Sequence, residues 1–268
     1  MPQDRTLLQQ TATFRVERVL LHSPSLQWSA SYEVASPRLV LPSSGSTEFR
    51  MAGRDLLLDG LTAVSLPTGL PYQMKPLAGA ARASIVVSAQ PGAASDVVDA
   101  PPACAAWSLA PHALWLLRRH WRALARGDER QEPTQAMLQR LLSHSTPAAQ
   151  GQGQGQGRPA AVQRAQHFMA ERTADTHAAR WTLNDVADAA CCSLFHLARS
   201  FRKHTGLSLH GYRQRLRLAA ALQRLEEGER DIAALAHELG YSSQSHLGSA
   251  FMREIGVTPA SARRVLTV

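Results

Sequence analysis

Cysteine is scarce in this sequence: three residues in 268, two of them adjacent at positions 191 and 192, with no CxxC pair. A disulfide framework is therefore excluded, no paired-thiolate metal spacing is present, and the adjacent pair is expected to be buried, inert thiols rather than a redox switch. Long apolar runs are absent too, so no segment spans a bilayer, and the opening MPQDRTLLQQTATF has no apolar core of the signal-peptide kind. A reduced, cytoplasmic protein is expected. Acidic side chains are outnumbered, 21 against 29 Lys and Arg, giving a formal charge of +8 and a sequence pI near 10.2. That balance suits an acidic partner, either nucleic acid or an anionic surface, or marks no specific partner at all.

What is present falls into three regions. Within residues 14–90, short β-like segments at 38–41, 47–51, 55–58, 61–66 and 83–87 are separated by turn residues, as in an antiparallel sandwich or small barrel. The stretch FRMAGRDLLL reads as a hairpin turning at Ala52-Gly53. From Pro111 the period lengthens: Leu114, Leu117, Trp121 and Leu124, then Met137, Leu138, Leu141 and Leu142, predict two helices joined by GDERQEP. With Trp115 and Trp121 on its surface, this helical hairpin serves either as packing or as a face for a second copy of the chain. Residues 143–160, SHSTPAAQGQGQGQGRPA, are Gln/Gly-rich and read as a flexible tether. The expected division is a β-rich domain with a helical segment over 1–142 and an all-helical domain over 161–268.

The last region contains one pattern twice. Ser193, Leu197, Phe201 and Gly206 recur as Ser243, Leu247, Phe251 and Gly256. Each copy reads as a helix with a small residue (Ala187, Ala236), a tight turn and a second helix opened by a serine cap and closed by glycine. Thr182 with Asp185 makes a capping-box start for the first copy, and the second turn is one residue longer. On the first copy's second helix, Leu194, Leu197 and Phe201 are expected to be buried. The opposite side shows Phe195, Ala198, Arg199 and Arg202, with His196 on its flank. The run from Cys191 to Leu225 holds Arg199, Arg202, Lys203, Arg213, Arg215, Arg217 and Arg224 with no Asp or Glu. A surface built only for solubility mixes signs, so DNA contact is expected. Between the copies lies a helical strut of about 19 residues, roughly 28 Å long, against about 34 Å between successive major-groove faces of B-DNA. One chain could thus place both copies in adjacent grooves.

SLFHLARSFRKHTGLSLHGYRQRLRLAAAL followed by DIAALAHELGYSSQSHLGSAFMREIGVTPASARR resembles the AraC/XylS family of bacterial transcription regulators over about residues 163–266. The resemblance implies a seven-helix domain with two helix-turn-helix units on a linking helix, and double-stranded promoter DNA and RNA polymerase as partners. It puts base contacts at Phe195, Ala198 and Arg199, and at Gln244, Ser245, His246 and Ser249. Ser249 and Leu247 stand where the family usually has Arg and an aromatic residue, and Gly248 removes a side chain. Sequence reading is therefore expected mainly in the first unit, with the second gripping phosphates through Ser243 and Arg253. The first half is similar, more loosely, to the family's cupin-like sensor barrel. This implies a small-molecule effector, for which Trp28, Tyr32, Arg38 and Tyr72 are candidate contacts, and helices that dimerise. A metal-dependent cupin enzyme with a DNA-binding appendage is the alternative, as is a binder without sequence preference. The enzyme needs clustered His and Glu ligands, yet residues 1–100 hold only His22. No catalytic residue, metal or cofactor is assigned.

Overall fold

A computed structural model of the chain describes residues 3–22, 26–51, 53–77, 82–90, 92, 105–128, 132–143, 145–147, 159–175 and 181–267. Residues 148–158 of the expected tether, and Ala52 of the expected hairpin turn, lie outside the described residues. The chain divides into two compact units, residues 1–109 with 120–150, and residues 110–119 with 151–268.

The first unit is built from eleven described strands: β1 (Gln3–Gln10), β2 (Phe14–Leu21), β3 (Tyr32–Glu33), β4 (Arg38–Ser44), β5 (Thr47–Met51), β6 (Arg54–Leu58), β7 (Thr62–Leu66), β8 (Pro71–Pro76), β9 (Arg82–Ala89), β10 (Ala105–Ser108) and β11 (Thr146–Pro147). One sheet runs β1-β2-β9-β4-β7-β10-β11 and the other β3-β8-β5-β6. Period-two alternation sends Val19, Leu21, Val40, Val64, Leu66 and Val86 from the larger sheet into one core with Phe49, Met51, Leu58 and Met74 from the smaller. All five expected segments fall in strands. Met51 pairs with Arg54, and Gly53 takes φ +71°, the left-handed geometry a two-residue hairpin turn needs.

Helices α1 (Pro111–Ala125) and α2 (Thr134–Ser143) follow, as the longer period predicts. Trp115 and Trp121 are not on the surface: both are buried, at 4% and 7% exposure, because a large apolar ring gains most when removed from water. Thr134 Oγ1 donates to Gln9 Oε1 at 2.6 Å and lies 2.9 Å from His120 Nε2, so it ties α2 to β1 and to the end of α1.

The rest of the second unit is α3 (Ala160–Ala174), α4 (Leu183–Ala189), α5 (Leu194–Thr205), α6 (Leu209–Glu226), α7 (Ile232–Glu238), α8 (Gln244–Ile255) and α9 (Pro259–Thr267). Helix α4 opens on a reciprocal capping box: the Asp185 amide donates to Thr182 Oγ1 at 3.3 Å, and the Thr182 amide donates to Asp185 Oδ2 at 2.6 Å. Ser193, Ser208, Asp231 and Ser243 cap α5, α6, α7 and α8 through their side chains. Gly206 and Gly256 close α5 and α8 at φ +75° and +88°. Helix α6 buries Leu216, Leu218, Leu222 and Leu225.

The Thr182 amide and hydroxyl hold the Asp185 carboxyl below its usual value of 3.8. A carboxyl whose pKa is depressed by folding stabilises the fold above the unfolded value and loses that contribution as pH falls through the folded one. Asp185→Asn should therefore be less stable than the wild type at neutral pH. In urea titrations the gap should narrow as pH drops below 3.8; a gap independent of pH would show that the capping box contributes no charge-dependent stability.

Candidate nucleic-acid interface

The two short-helix pairs are copies in structure as in sequence. Ser193 Oγ accepts the His196 amide at 3.3 Å, and Ser243 Oγ accepts the His246 amide at 3.1 Å. The Gly206 amide reaches the Arg202 carbonyl at 2.9 Å, and the Gly256 amide reaches the Met252 carbonyl at 3.0 Å. Ala187 and Ala236, the small residues of the first helices, are buried at 4% and 0%. The copy extends further than the sequence comparison reached. Ser208 caps α6, while Thr258 Oγ1 accepts the Ser261 amide at the start of α9. Leu209, Tyr212 and Leu216 of α6 are buried where Pro259, Ala262 and Leu266 of α9 are buried. From Ser193 onward a constant offset of 50 positions was therefore available in the sequence, hidden at Leu209/Pro259 and Tyr212/Ala262 because those aligned core residues differ in size.

Helix α5 presents the expected face. Leu197 and Phe201 are fully buried, whereas Leu194 is half-buried rather than buried, because it stands in the first turn next to the exposed cap. Phe195 is 81% exposed, the most exposed large apolar side chain among the described residues. His196, Ala198, Arg199, Arg202 and Lys203 are exposed as well. No acidic residue occurs on this helix, and none of its three cations is ion-paired with a described residue. An aromatic ring beside small residues and unpaired guanidinium groups can touch thymine methyls, guanine edges and phosphates.

The other cations of the acid-free run have different tasks. Arg213 Nη1 donates to the Trp181 carbonyl at 3.5 Å, and its guanidinium lies 5.2 Å from that ring's centre. Arg217 lies between the Trp181 and Tyr241 rings, at 5.9 and 5.8 Å. Arg224 pairs with Glu229 at 2.8 Å and Glu238 at 3.1 Å, acids that lie beyond the run in sequence. A one-signed stretch is thus only partly a one-signed surface.

Helix α8 is less basic. Gln244, Ser245, His246, Ser249 and Arg253 are exposed, and Ser243 is half-buried as the cap. Arg253 Nε donates to Glu254 Oε1 at 3.0 Å. His246 is held by its own unit, with Nδ1 3.1 Å from Ser242 Oγ and its ring edge-on to Tyr241 at 5.3 Å. Burial pushes the Tyr241 phenol up to about 12, and its oxygen accepts from Gln214 Nε2 of α6 at 3.0 Å. An open groove beside α8 runs past Gly248 and Ser249 to Pro259 and Ala260.

The adjacent cysteines are not the buried pair expected of inert thiols: Cys191 is exposed and Cys192 half-buried. Cys191 stands at φ +55°, the only non-glycine residue with positive φ among the described residues. It occupies the turn position that Gly240 fills in the second copy at φ +75°.

Residues 186–264 match the helix-turn-helix domain family. The helical unit thus carries a helix-turn-helix domain, and it is similar to those of AraC-like regulators. A Streptomyces lividans protein described as an AraC-like transcription regulator is 38% identical over 84 residues, which cover 31% of this chain and 28% of that one. The transcriptional activator RhaS of Pectobacterium carotovorum subsp. carotovorum is 33% identical over 78 residues, or 29% of this chain and 28% of RhaS. The chain therefore matches under a third of the length of these relatives. The C-terminal domain of AraT, a response regulator from Geobacillus stearothermophilus, is 25% identical with a TM-score of 0.38, over 41% of this chain and 89% of that domain.

Of the four candidate effector contacts, three meet inside the first unit. Tyr32 and Tyr72 lie with ring centres 5.7 Å apart, and Phe49 stacks on Tyr72 at 5.7 Å. Burial lowers the Arg38 guanidinium and raises the Tyr72 phenol, and each acts electrostatically on the other. Arg38 Nε donates to the Ser36 carbonyl at 3.3 Å. Trp28 lies apart from them. Its ring sits 4.1 Å under the Arg50 guanidinium and 5.8 Å from Lys75 Nζ, on the face of the smaller sheet that alternation turns away from Phe49 and Met74. His22 lies beside Asp4, at 3.7 Å. No described helix is long and apolar enough to cross a membrane.

Two substitutions separate local strain from recognition. A side chain in left-handed backbone carries roughly 1–2 kcal/mol of strain that glycine avoids. Cys191→Gly should therefore raise the midpoint of thermal unfolding. Gly248→Ala should also stabilise, by about 1 kcal/mol, since a Cβ there meets nothing within 4 Å. Loss of stability in either variant would mean that the residue has an unrecognised packing role.

Proposed function

We propose that this chain is a sequence-specific DNA-binding transcriptional regulator of the AraC/XylS type, and not an enzyme. It acts in the cytoplasm on double-stranded promoter DNA alongside RNA polymerase. The observation that carries this reading is the exposed face of α5, where Phe195, Ala198 and Arg199 stand beside Arg202 and Lys203 with no acid on the helix. Arg199 is assigned to base edges; Arg202 and Lys203 to phosphates. Helix α8 contributes Gln244, Ser245, His246 and Ser249, with Ser243 and Arg253 at the backbone. The Arg253–Glu254 pair and the tether of His246 to Ser242 support a lesser reading role for this copy. The first unit is assigned a small effector near Tyr32, Arg38 and Tyr72, and its helical segment a part in homodimer formation.

Footprinting upstream of genes whose expression changes in a deletion strain supplies the operator. On that operator, measured by fluorescence anisotropy against scrambled DNA, Arg199→Ala should cost about 1–3 kcal/mol of discrimination. Arg202→Ala should weaken both DNAs alike. A combined Ser245→Ala and His246→Ala variant should lose less discrimination than Arg199→Ala. Equal losses would end the assignment of reading to the first copy, and a wild-type protein that does not distinguish the two DNAs would end the regulator reading.

A further inference from the structure

Arg217 stands half-buried at the middle of α6, and its guanidinium lies between rings that belong to different copies. Trp181 immediately precedes the cap of α4 in the first copy, whereas Tyr241 lies in the turn between α7 and α8 of the second. Each ring is anchored by other contacts. Phe168 of α3 meets Trp181 edge-on at 5.8 Å, and the Trp181 carbonyl accepts Arg213 Nη1 at 3.5 Å. Tyr241 is 1% exposed, and its hydroxyl accepts Gln214 Nε2 at 3.0 Å. Gly240 leaves the guanidinium its room, since a Cβ there would come within 2.5 Å of Arg217 Nη2. The second copy is joined to α6 through residues 227–231, a bend in which Gly228 takes φ +98°. Arg224 holds this bend by pairing with Glu229 at 2.8 Å and Glu238 at 3.1 Å. It stands beside the bend, however, and its pairs are partly exposed, where salt screens them. Arg217 lies about two turns, or 10 Å, further back along the helix. A contact at that distance restricts the angle of the bend more than one beside it.

We propose that Arg217, seated between Trp181 and Tyr241, sets the spacing and rotational phase at which one chain engages the two halves of its DNA site. This rests on the regulator reading and names the residue that decides which arrangement of half-sites is bound. One added base pair moves a half-site by about 3.4 Å and turns it by roughly 35° about the duplex. Two reading helices held at a fixed angle cannot both follow that displacement, whereas a second copy able to swing on its bend can. Arg217 is thus a positioning residue: it acts through the two rings and not through a base.

The test uses the full chain and the footprinted operator, with one base pair inserted or deleted between its half-sites, and duplexes in which either half-site is scrambled. Wild type should bind the altered spacings roughly tenfold more weakly than the native one. Arg217→Ala should shrink that penalty to about threefold or less while binding the single half-site duplexes within about twofold of wild type. A wild type indifferent to spacing, or an Arg217→Ala profile as steep as its own, overturns the proposal. So does an equal loss on every duplex, single half-sites included, since the arginine would then be gripping a phosphate. Should the Ala variant not fold, Arg217→Lys keeps the charge without the flat guanidinium that lies against both rings. A flattened spacing profile in that variant supports the proposal, and an unchanged one overturns it. Scrambled operator, measured in parallel, separates the two readings. A steep profile in Arg217→Ala while wild type still prefers its operator counts against this inference alone, and loss of that preference by the wild type counts against the regulator.

Discussion

Helix α6 is the element on which the helical unit depends. Both short-helix pairs rest on its side chains. Tyr212 meets Phe201 of the first copy edge-to-face at 5.3 Å, and Gln214 donates to Tyr241 in the turn of the second at 3.0 Å. Arg213 and Arg217 lie over Trp181, which precedes α4, and Arg217 also lies over Tyr241. Because Leu216, Leu218, Leu222 and Leu225 are buried along it, the helix cannot turn about its axis without exposing its core. The surface helices α5 and α8 can therefore carry polar or strained residues whose own contribution to stability is small, since their positions are fixed from below.

The helical unit was largely legible in the sequence because its signals are local. A serine cap, a closing glycine and a capping box each act within four residues of chain, and all appear at the expected places. What was missed there is instructive. The duplicated unit extends into α9, but Ala262 stands where Tyr212 does, and a comparison of residue types does not register two side chains that differ in size yet share a buried position. The adjacent cysteines were read by chemistry, as buried thiols, when backbone geometry decides at least one of them. Cys191 is exposed in a left-handed turn.

The sheet unit was legible only where apolar residues gather. Segments such as RLVL and ASIVV announce themselves. By contrast β1, QDRTLLQQ, pairs along one edge of the larger sheet with mostly exposed side chains, so its sequence carries little alternation. The placement of Trp28 and of Arg82 depends on contacts between strands distant in sequence. An indole packed beneath an arginine on an outer face and a guanidinium packed over a phenyl ring inside look alike in a linear reading. They differ only in the parity of the strand position, which register fixes.

The two turn positions held by Cys191 and Gly240 make the copies unequal spare parts. At Gly240 a Cβ would come within 2.5 Å of Arg217 Nη2, the same guanidinium that α6 lays over Tyr241. Transplanting the cysteine of the first turn into the second would push that arginine off its aromatic seat, while the reverse transplant only relieves a strained backbone. The two exchanges are thus unequal in cost: Cys191→Gly removes left-handed strain, whereas Gly240→Cys adds it and makes the Arg217 guanidinium move.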